Sequence, residues 1–417
     1  MTPFPSLHAA QHWLTHQFNR AATLWLVCVA AVLLSGCATL PPAEPVTEPI
    51  VRITDTNNNL AKVVAKLRSN RDTLTGIYPL SDSHDSFAAR ASLILAAEHT
   101  LDLQYYIWHN DTSGQILASA LKKAADRGVK MSMLLDDNKT NGMDAFLKDL
   151  DGHPNIQVRL FNPFVNRKFR FVGYLTEFKR LNHRMHNKAF IVDQQAAILG
   201  GRNIGDEYFG AGDGVMFMDL DVLAVGKVVE DVSADFERYW RSESSYPTAQ
   251  ILGKKRVKAA KPTKTDAATL AHKQQQKDVY LQKIAESDYA NALRQQRLPL
   301  AWSQAKLVSD DPAKALGMRS PTQRHIVDEL AQELGEPKRS FLIVSPYFVP
   351  TKEGTNELVQ LANSGIAITI LTNSLAATDV APVHAGYAKY RKPLLQAGIS
   401  LFELKPTVSK PVIFKDR

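Results

Sequence analysis

The sequence predicts an α/β fold in which one helix–sheet–helix sandwich occurs twice, the second copy incomplete, behind a terminal leader. Three observations predict it. From about residue 85 the apolar residues switch repeatedly between helical and strand spacing. The pattern of the first half then returns: Tyr347 answers Tyr106, Gly365 answers Gly128 and Pro406 answers Pro163, at offsets of 241, 237 and 243 residues. A nearly constant offset indicates a duplicated domain rather than chance. The uncharged apolar run Ala21–Leu34 stands apart from this pattern, at the amino terminus.

That run has 14 residues and follows Arg20. As a helix it would rise about 21 Å, short of a hydrocarbon core of roughly 30 Å, so it suits a signal peptide better than a spanning helix. Leu34-Ser35-Gly36-Cys37 follows and resembles the bacterial lipobox, whose cysteine is acylated and becomes the mature terminus. Ala38 rather than Asp after the cysteine suggests the outer membrane of a bacterial envelope, on its periplasmic face. Residues 1–36 are thus expected to be leader. Residues 37–75, opening with Pro41, Pro42, Pro45 and Pro49, are expected to be a tether. The two cysteines, Cys28 and Cys37, both precede the body, which excludes a disulfide framework or thiolate metal site there.

Residues 76–250 read as the first domain. Phe87, Ala91, Ile94 and Leu95 have helical spacing, and Leu101, Leu103, Tyr105 and Ile107 alternate as in a strand. Ile116–Ala124 is helical and Gly128 suits its end. Val129–Leu135 and Ile156–Phe161 are apolar-rich, as strands covered on both faces are. Val229, Val232, Phe236, Tyr239 and Trp240 mark one apolar helix face. Residues 251–300 carry Lys254, Lys255, Arg256, Lys258, Lys261 and Lys264 and read as a basic linker or helical insertion, with electrostatic membrane contact as the sharper alternative. Residues 301–417 read as the second domain: a helix over 325–334, strands over 341–348, 365–372 and 399–406, and a helix carrying His384. Hydrophobic residues make up 45% and charged residues 22% of the 417, which suits a folded core and excludes a disordered chain. The formal net charge of +8 favours anionic partners, phospholipid head groups or nucleic acid.

The chemistry lies between the two copies. His186, Lys188 and Asp193 form H-x-K-x-x-x-x-D, and Gly200-Gly201-Arg202-Asn203 follows. If this segment is a strand, His186, Lys188 and Phe190 share a face. An imidazole beside an ammonium is wasteful in a core and sensible around a phosphate. The histidine can attack phosphorus through one ring nitrogen and form a covalent phospho-histidine. The lysine neutralises charge on the phosphoryl oxygens. Asn203 can add a neutral donor to the phosphate, and Gly200 and Gly201 let backbone approach it. The combination is far more specific than a lone histidine. His183 reads as a surface or supporting residue. No metal or other cofactor is expected, since no ligand cluster is evident.

These motifs resemble the signature of the phospholipase D superfamily. Leu101–Trp108, Leu134–Asn138, Arg180–Phe209, Asp219–Val222, Leu307–Ala313 and Leu371–Tyr390 resemble its C-type bacterial cardiolipin synthases. The resemblance implies a duplicated phospholipase D-like α-β-α sandwich. It also implies a phosphatidyltransferase that joins phosphatidylglycerol and a second phospholipid at a membrane. In that reading His186 is nucleophile or its partner, Lys188 and Asn203 hold phosphate, and Asp193 is the supporting acid.

Members of the superfamily carry two such motifs meeting at one site, one histidine attacking and the other protonating the leaving alcohol. This chain shows one, and the offset places the second histidine near position 429, past Arg417. The expectation is therefore a piece of a longer protein. His384 is no substitute, because the next lysine stands five residues on and no Asp follows at the motif's spacing. Two other readings stay open: a phospholipase- or nuclease-type phosphodiesterase, and a non-catalytic, membrane-tethered remnant that binds anionic head groups. The lipobox argues for lipid over nucleic acid as partner. The sequence leaves homo-oligomerisation open.

Overall fold

A computed structural model describes residues 40–47, 58–212, 216–253, 267–317, 326–378 and 380–405. The leader, Cys37 and the basic run over 254–264 lie outside the described residues. The chain divides into two compact units, Met1–Gln323 and Arg324–Arg417.

The first unit is built on β1 (Thr75–Leu80), β2 (Thr100–Tyr105), β3 (Lys130–Asp136), β4 (Ile156–Phe161), β5 (Ala189–Val192), β6 (Ala196–Gly200), β7 (Asp221–Gly226), β8 (Ser245–Pro247) and β9 (Ala301–Ser303). They form one sheet in the order β8-β4-β3-β2-β5-β6-β7-β1-β9. β2, β3 and β4 are parallel, in register at Leu103, Met133 and Val158. Helices Ser83–Ala96 and Thr112–Asp126 begin at Asp82 and Asp111, whose carboxylates accept the His84 N–H at 2.8 Å and the Gly114 N–H at 3.0 Å. β5 pairs antiparallel with β2, so the segment carrying the motif enters the middle of the sheet.

Both faces are covered. Leu101, Leu103, Tyr105 and Phe190 pack with Phe87, Leu117 and Leu121 of the two helices. Ile191, Ala197 and Leu134 pack on the other face with Val232, Phe236 and Trp240 of helix Val228–Trp240. This accounts for strands that read as continuous apolar runs.

Three boundaries differ from expectation. Ala301–Ser303, assigned on sequence to the second domain, is the edge strand of the first sheet, pairing with Thr75–Ile77. The insertion is a structural layer: Tyr280, Ile284 and Tyr289 are buried in the first unit's core, and the Tyr289 N–H donates to Asp85. The tether is partly docked. Arg159 donates to the Glu44 carbonyl at 3.0 Å, Gln250 donates to the Pro42 carbonyl at 2.8 Å, and helix Asn59–Arg68 buries Ala61 and Val64.

The second unit holds β10 (Ser340–Val344), β11 (Ala367–Asn373) and β12 (Ser400–Leu404), parallel and in that order. Helices Thr351–Asn363 and Arg391–Gln396 connect them, repeating the β-α-β-α-β arrangement of β2 to β4. Phe348, Leu358, Ile370, Tyr387 and Leu394 are its core. His384 is buried on helix Ala381–Ala388, its Nε2 2.7 Å from an Arg391 nitrogen and its ring 5.6 Å from that of Tyr387.

Candidate active site

His186 and Lys188 lie just ahead of β5 rather than within it, because the strand begins at Ala189. Their approach is fixed from β3. The Asp136 carboxylate accepts the Met185 N–H at 2.9 Å and the Asn138 N–H at 2.8 Å, and pairs with Arg184 at 3.3 Å. Asp136 is wholly buried, and that burial pushes its carboxyl up to about 7 even beside Arg184. It is a positioning residue that sets where the backbone turns toward His186.

The Lys188 Nζ stands 3.0 Å from the His186 Nδ1 and 3.4 Å from its Nε2, and donates to the His186 carbonyl at 2.6 Å. Lys188 is 7% exposed, whereas the His186 ring opens to solvent on one side. Burial lowers the Lys188 ammonium to about 8, with Asp219 and Asp221 acting against it. Loss of solvent around the ring, and then the neighbouring ammonium, lower His186 to about 4. At neutral pH the pair is therefore a neutral imidazole beside an ammonium. A neutral ring nitrogen can attack phosphorus, and an adjacent fixed cation stabilises the oxygens that gain charge.

Tyr106 completes the wall. Its ring centroid is 4.7 Å from that of His186, and the Lys188 Nζ lies 5.7 Å from the ring. Its hydroxyl accepts from the Asn138 side-chain Nδ2 at 3.0 Å, and the Tyr174 hydroxyl donates to the Asn138 Oδ1 at 2.7 Å. Sequence reasoning missed Tyr106. Its signal was strand alternation: Tyr105 is fully buried, so the next side chain takes the opposite face.

Four expected site residues serve the frame instead. Asp193 accepts the N–H groups of Glu98, His99 and Thr100 at 3.0, 2.8 and 2.8 Å, and is buried away from His186 and Lys188. It sits at the β5–β6 turn with φ of 49°, a conformation that Asp tolerates. Its role as supporting acid is corrected to that of a clamp between the turn and the start of β2. Gly200 and Gly201 face protein rather than an open cradle. A Cβ on Gly200 would lie 2.5 Å from the Leu220 oxygen and the Asp221 Cα, and one on Gly201 would lie 1.9 Å from an Asp219 oxygen. The Gly201 N–H already donates to the Leu220 carbonyl at 3.1 Å. Asn203 is buried, accepting from the Ile107 N–H and donating to the Tyr208 hydroxyl, each at 2.9 Å. It ties the end of β2 to the glycine turn.

The sequence reading saw no metal-ligand cluster. The fold brings His109, Asp111 and Glu207 together, with one ligand atom of each within 4.8 Å of the others. The His109 Nδ1 is 3.3 Å from a Glu207 oxygen, and Asp111 already accepts the Gly114 and Asp206 N–H groups. Helix capping and a His–Glu pair account for all three.

A family profile described as "Cardiolipin synthase, PLD-like domain" matches residues 91–240 and 330–416. The chain is 49% identical over 364 residues to cardiolipin synthase C of Escherichia coli strain K12, covering 86% of this chain and 75% of that one. It is 33% identical over 389 residues to an uncharacterized protein of Helicobacter pylori strain 26695, covering 92% of this chain and 76% of that one. Among solved structures, the phosphatidylserine synthase of Haemophilus influenzae matches with a TM-score of 0.47 and 11% identity, over 76% of this chain and 67% of that one.

Proposed function

The chain belongs to the cardiolipin synthase family of phospholipase D-like proteins, and from that premise we propose that His186 carries a phosphatidyl group between two phospholipids. The activity class is phosphatidyl transfer. In the first step an imidazole nitrogen of His186 bonds to the phosphorus of one phospholipid, and the bond from phosphorus to the head-group oxygen breaks. The head-group alcohol leaves with a proton from the second histidine that the superfamily resemblance implies. In the second step a glycerol hydroxyl of phosphatidylglycerol gives its proton to that histidine and attacks phosphorus. Cardiolipin forms and His186 is freed. Lys188 holds the phosphoryl oxygens through both steps, and no cofactor takes part.

One observation carries this reading: the neutral imidazole and the buried ammonium stand 3.0 Å apart just ahead of β5. The test is a trapped intermediate. With phosphatidylglycerol labelled in its phosphorus, the protein should retain label that acid releases and base does not, as a phosphoramidate behaves. His186→Ala should retain none. Equal labelling of that variant would overturn the assignment.

The lipobox supports an anchor at Cys37 that keeps the site at the envelope's lipid surface, on the periplasmic face of the outer membrane. Cys37→Ser should then take up no radiolabelled palmitate and accumulate as precursor. Uptake equal to the parent's would remove the anchor from the scheme.

A further inference from the structure

The segment between β4 and the motif turns two arginines inward and four large apolar side chains outward. Arg167 pairs with Asp137 and with Asp144, and Arg170 donates to the Asp137 and Asn138 carbonyls at 2.7 and 3.0 Å. These two side chains are only 10% and 13% exposed. Phe164, Gly173 and Leu181 are buried beneath them, and a Cβ on Gly173 would meet Leu181 at 2.9 Å. Phe169, Phe171, Leu175 and Phe178, by contrast, are 58%, 65%, 76% and 59% exposed. Phe171 and Leu175 stand i, i+4 on the short helix Arg170–Thr176 and so share one side of it, and Phe178 opens the next short helix, Phe178–Leu181. A loop made for water would do the reverse. Exposed Lys168 and Lys179 flank the apolar run, and neither forms an ion pair among the described residues.

This face is tied to the reacting groups. Tyr174 of the same helix bonds Asn138, Asn138 bonds Tyr106, and the Tyr106 ring lies against His186. We infer that Phe169, Phe171, Leu175 and Phe178 enter the acyl-chain region of an anionic phospholipid bilayer while Lys168 and Lys179 hold its head groups, so that His186 meets phosphate at the depth where it lies. The choice of occupant rests on the proposed reaction, whose substrates are phospholipids. Aromatic and aliphatic side chains sunk about 5–10 Å with lysines at the head-group level match an interfacial helix. Basic flanks complement an anionic surface.

Phe171→Trp in the full chain tests this with vesicles of brominated phosphatidylglycerol. The fluorescence added by the introduced indole should shift to the blue and be quenched by bromines in the acyl chains. Leu95→Trp, 73% exposed near the end of helix Ser83–Ala96, should not respond. Adding Lys168→Glu and Lys179→Glu should raise the lipid needed for half quenching by roughly ten-fold or more, at about 1 kcal/mol per lysine near an anionic surface. These side chains are exposed, so the fold should hold, as circular dichroism would verify. If the indole of Phe171→Trp goes unquenched on membrane-bound protein, the inference is overturned. The same follows if that indole is already shielded from aqueous iodide without lipid, because protein then covers the face. Insertion without phosphatidyl transfer would uphold this surface and count against the proposed reaction. Transfer without insertion would do the opposite.

Discussion

Replacing Lys188 by Met should stabilise the folded protein while abolishing turnover. Lys188 is 7% exposed, and its ammonium is lowered from 10.5 to about 8, chiefly by burial. A gap of about 2.5 in pKa corresponds to roughly 3 kcal/mol against the charged form at neutral pH. Methionine keeps the unbranched stem without the charge. The lost bond to the His186 carbonyl subtracts about 1 kcal/mol or more, leaving an expected gain of about 1–2 kcal/mol at pH 7. The pH dependence gives a second handle. The folded pKa lies below the unfolded one, so between about 8 and 10.5 the unfolded chain holds the extra proton and the parent gains stability as pH rises. Lys188→Met should lack that part of the rise, so the two stability curves should cross within the window and the parent should end the more stable by about 1–2 kcal/mol, the worth of the lost bond. Urea unfolding of both, at several pH values from 7 to 10.5, measures it. A variant less stable than the parent at pH 7, or one with the same pH slope, would refute the view that burial burdens this ammonium.

The same pair predicts the pH profile of kcat/KM. It should rise as His186 loses its proton above about 4 and fall as Lys188 loses its proton above about 8, and a flat profile through pH 8 would remove Lys188 from the chemistry. Asp193→Ala should lose about 3 kcal/mol or more, since three N–H groups lose a charged acceptor, while protein that remains folded keeps its turnover. A fully stable but inactive Asp193→Ala would restore a chemical role. Gly200→Ala should cost about 3 kcal/mol, because its Cβ would force β6 from β7 at Leu220 and Asp221. An unchanged unfolding midpoint would contradict that packing.

Where the sequence was legible, the reason is periodicity set by burial. Leu101, Leu103 and Tyr105 fall on one face of a strand, and Val229, Val232 and Phe236 on one face of a helix, so those elements were readable. The three-residue edge strands β8 and β9 are too short to show a period, which is why Ala301–Ser303 was given to the wrong half. The motif showed which residue types matter but not which way they point. His186 and Lys188 converge on one another. Asp193, at a fixed spacing from them, turns back to bind backbone. The glycine pair signals a close approach, and only the fold reveals that the approaching partner is the strand next door. Tyr106 and the outward phenyl rings were hidden because a side chain's exposure depends on neighbours distant in sequence.

Asp193 also sets an order of events. Its three partners lie 93 to 95 residues earlier in the chain, and β5 finds its place only by pairing with β2. Closing so long a loop is slow in comparison with forming the helices within it. Until it closes, β5 has no place in the sheet, and the buried surroundings that lower His186 and Lys188 are not assembled. Reactivity is therefore a late property of this chain. A nascent or partly unfolded copy has every atom of the proposed nucleophile and none of its setting.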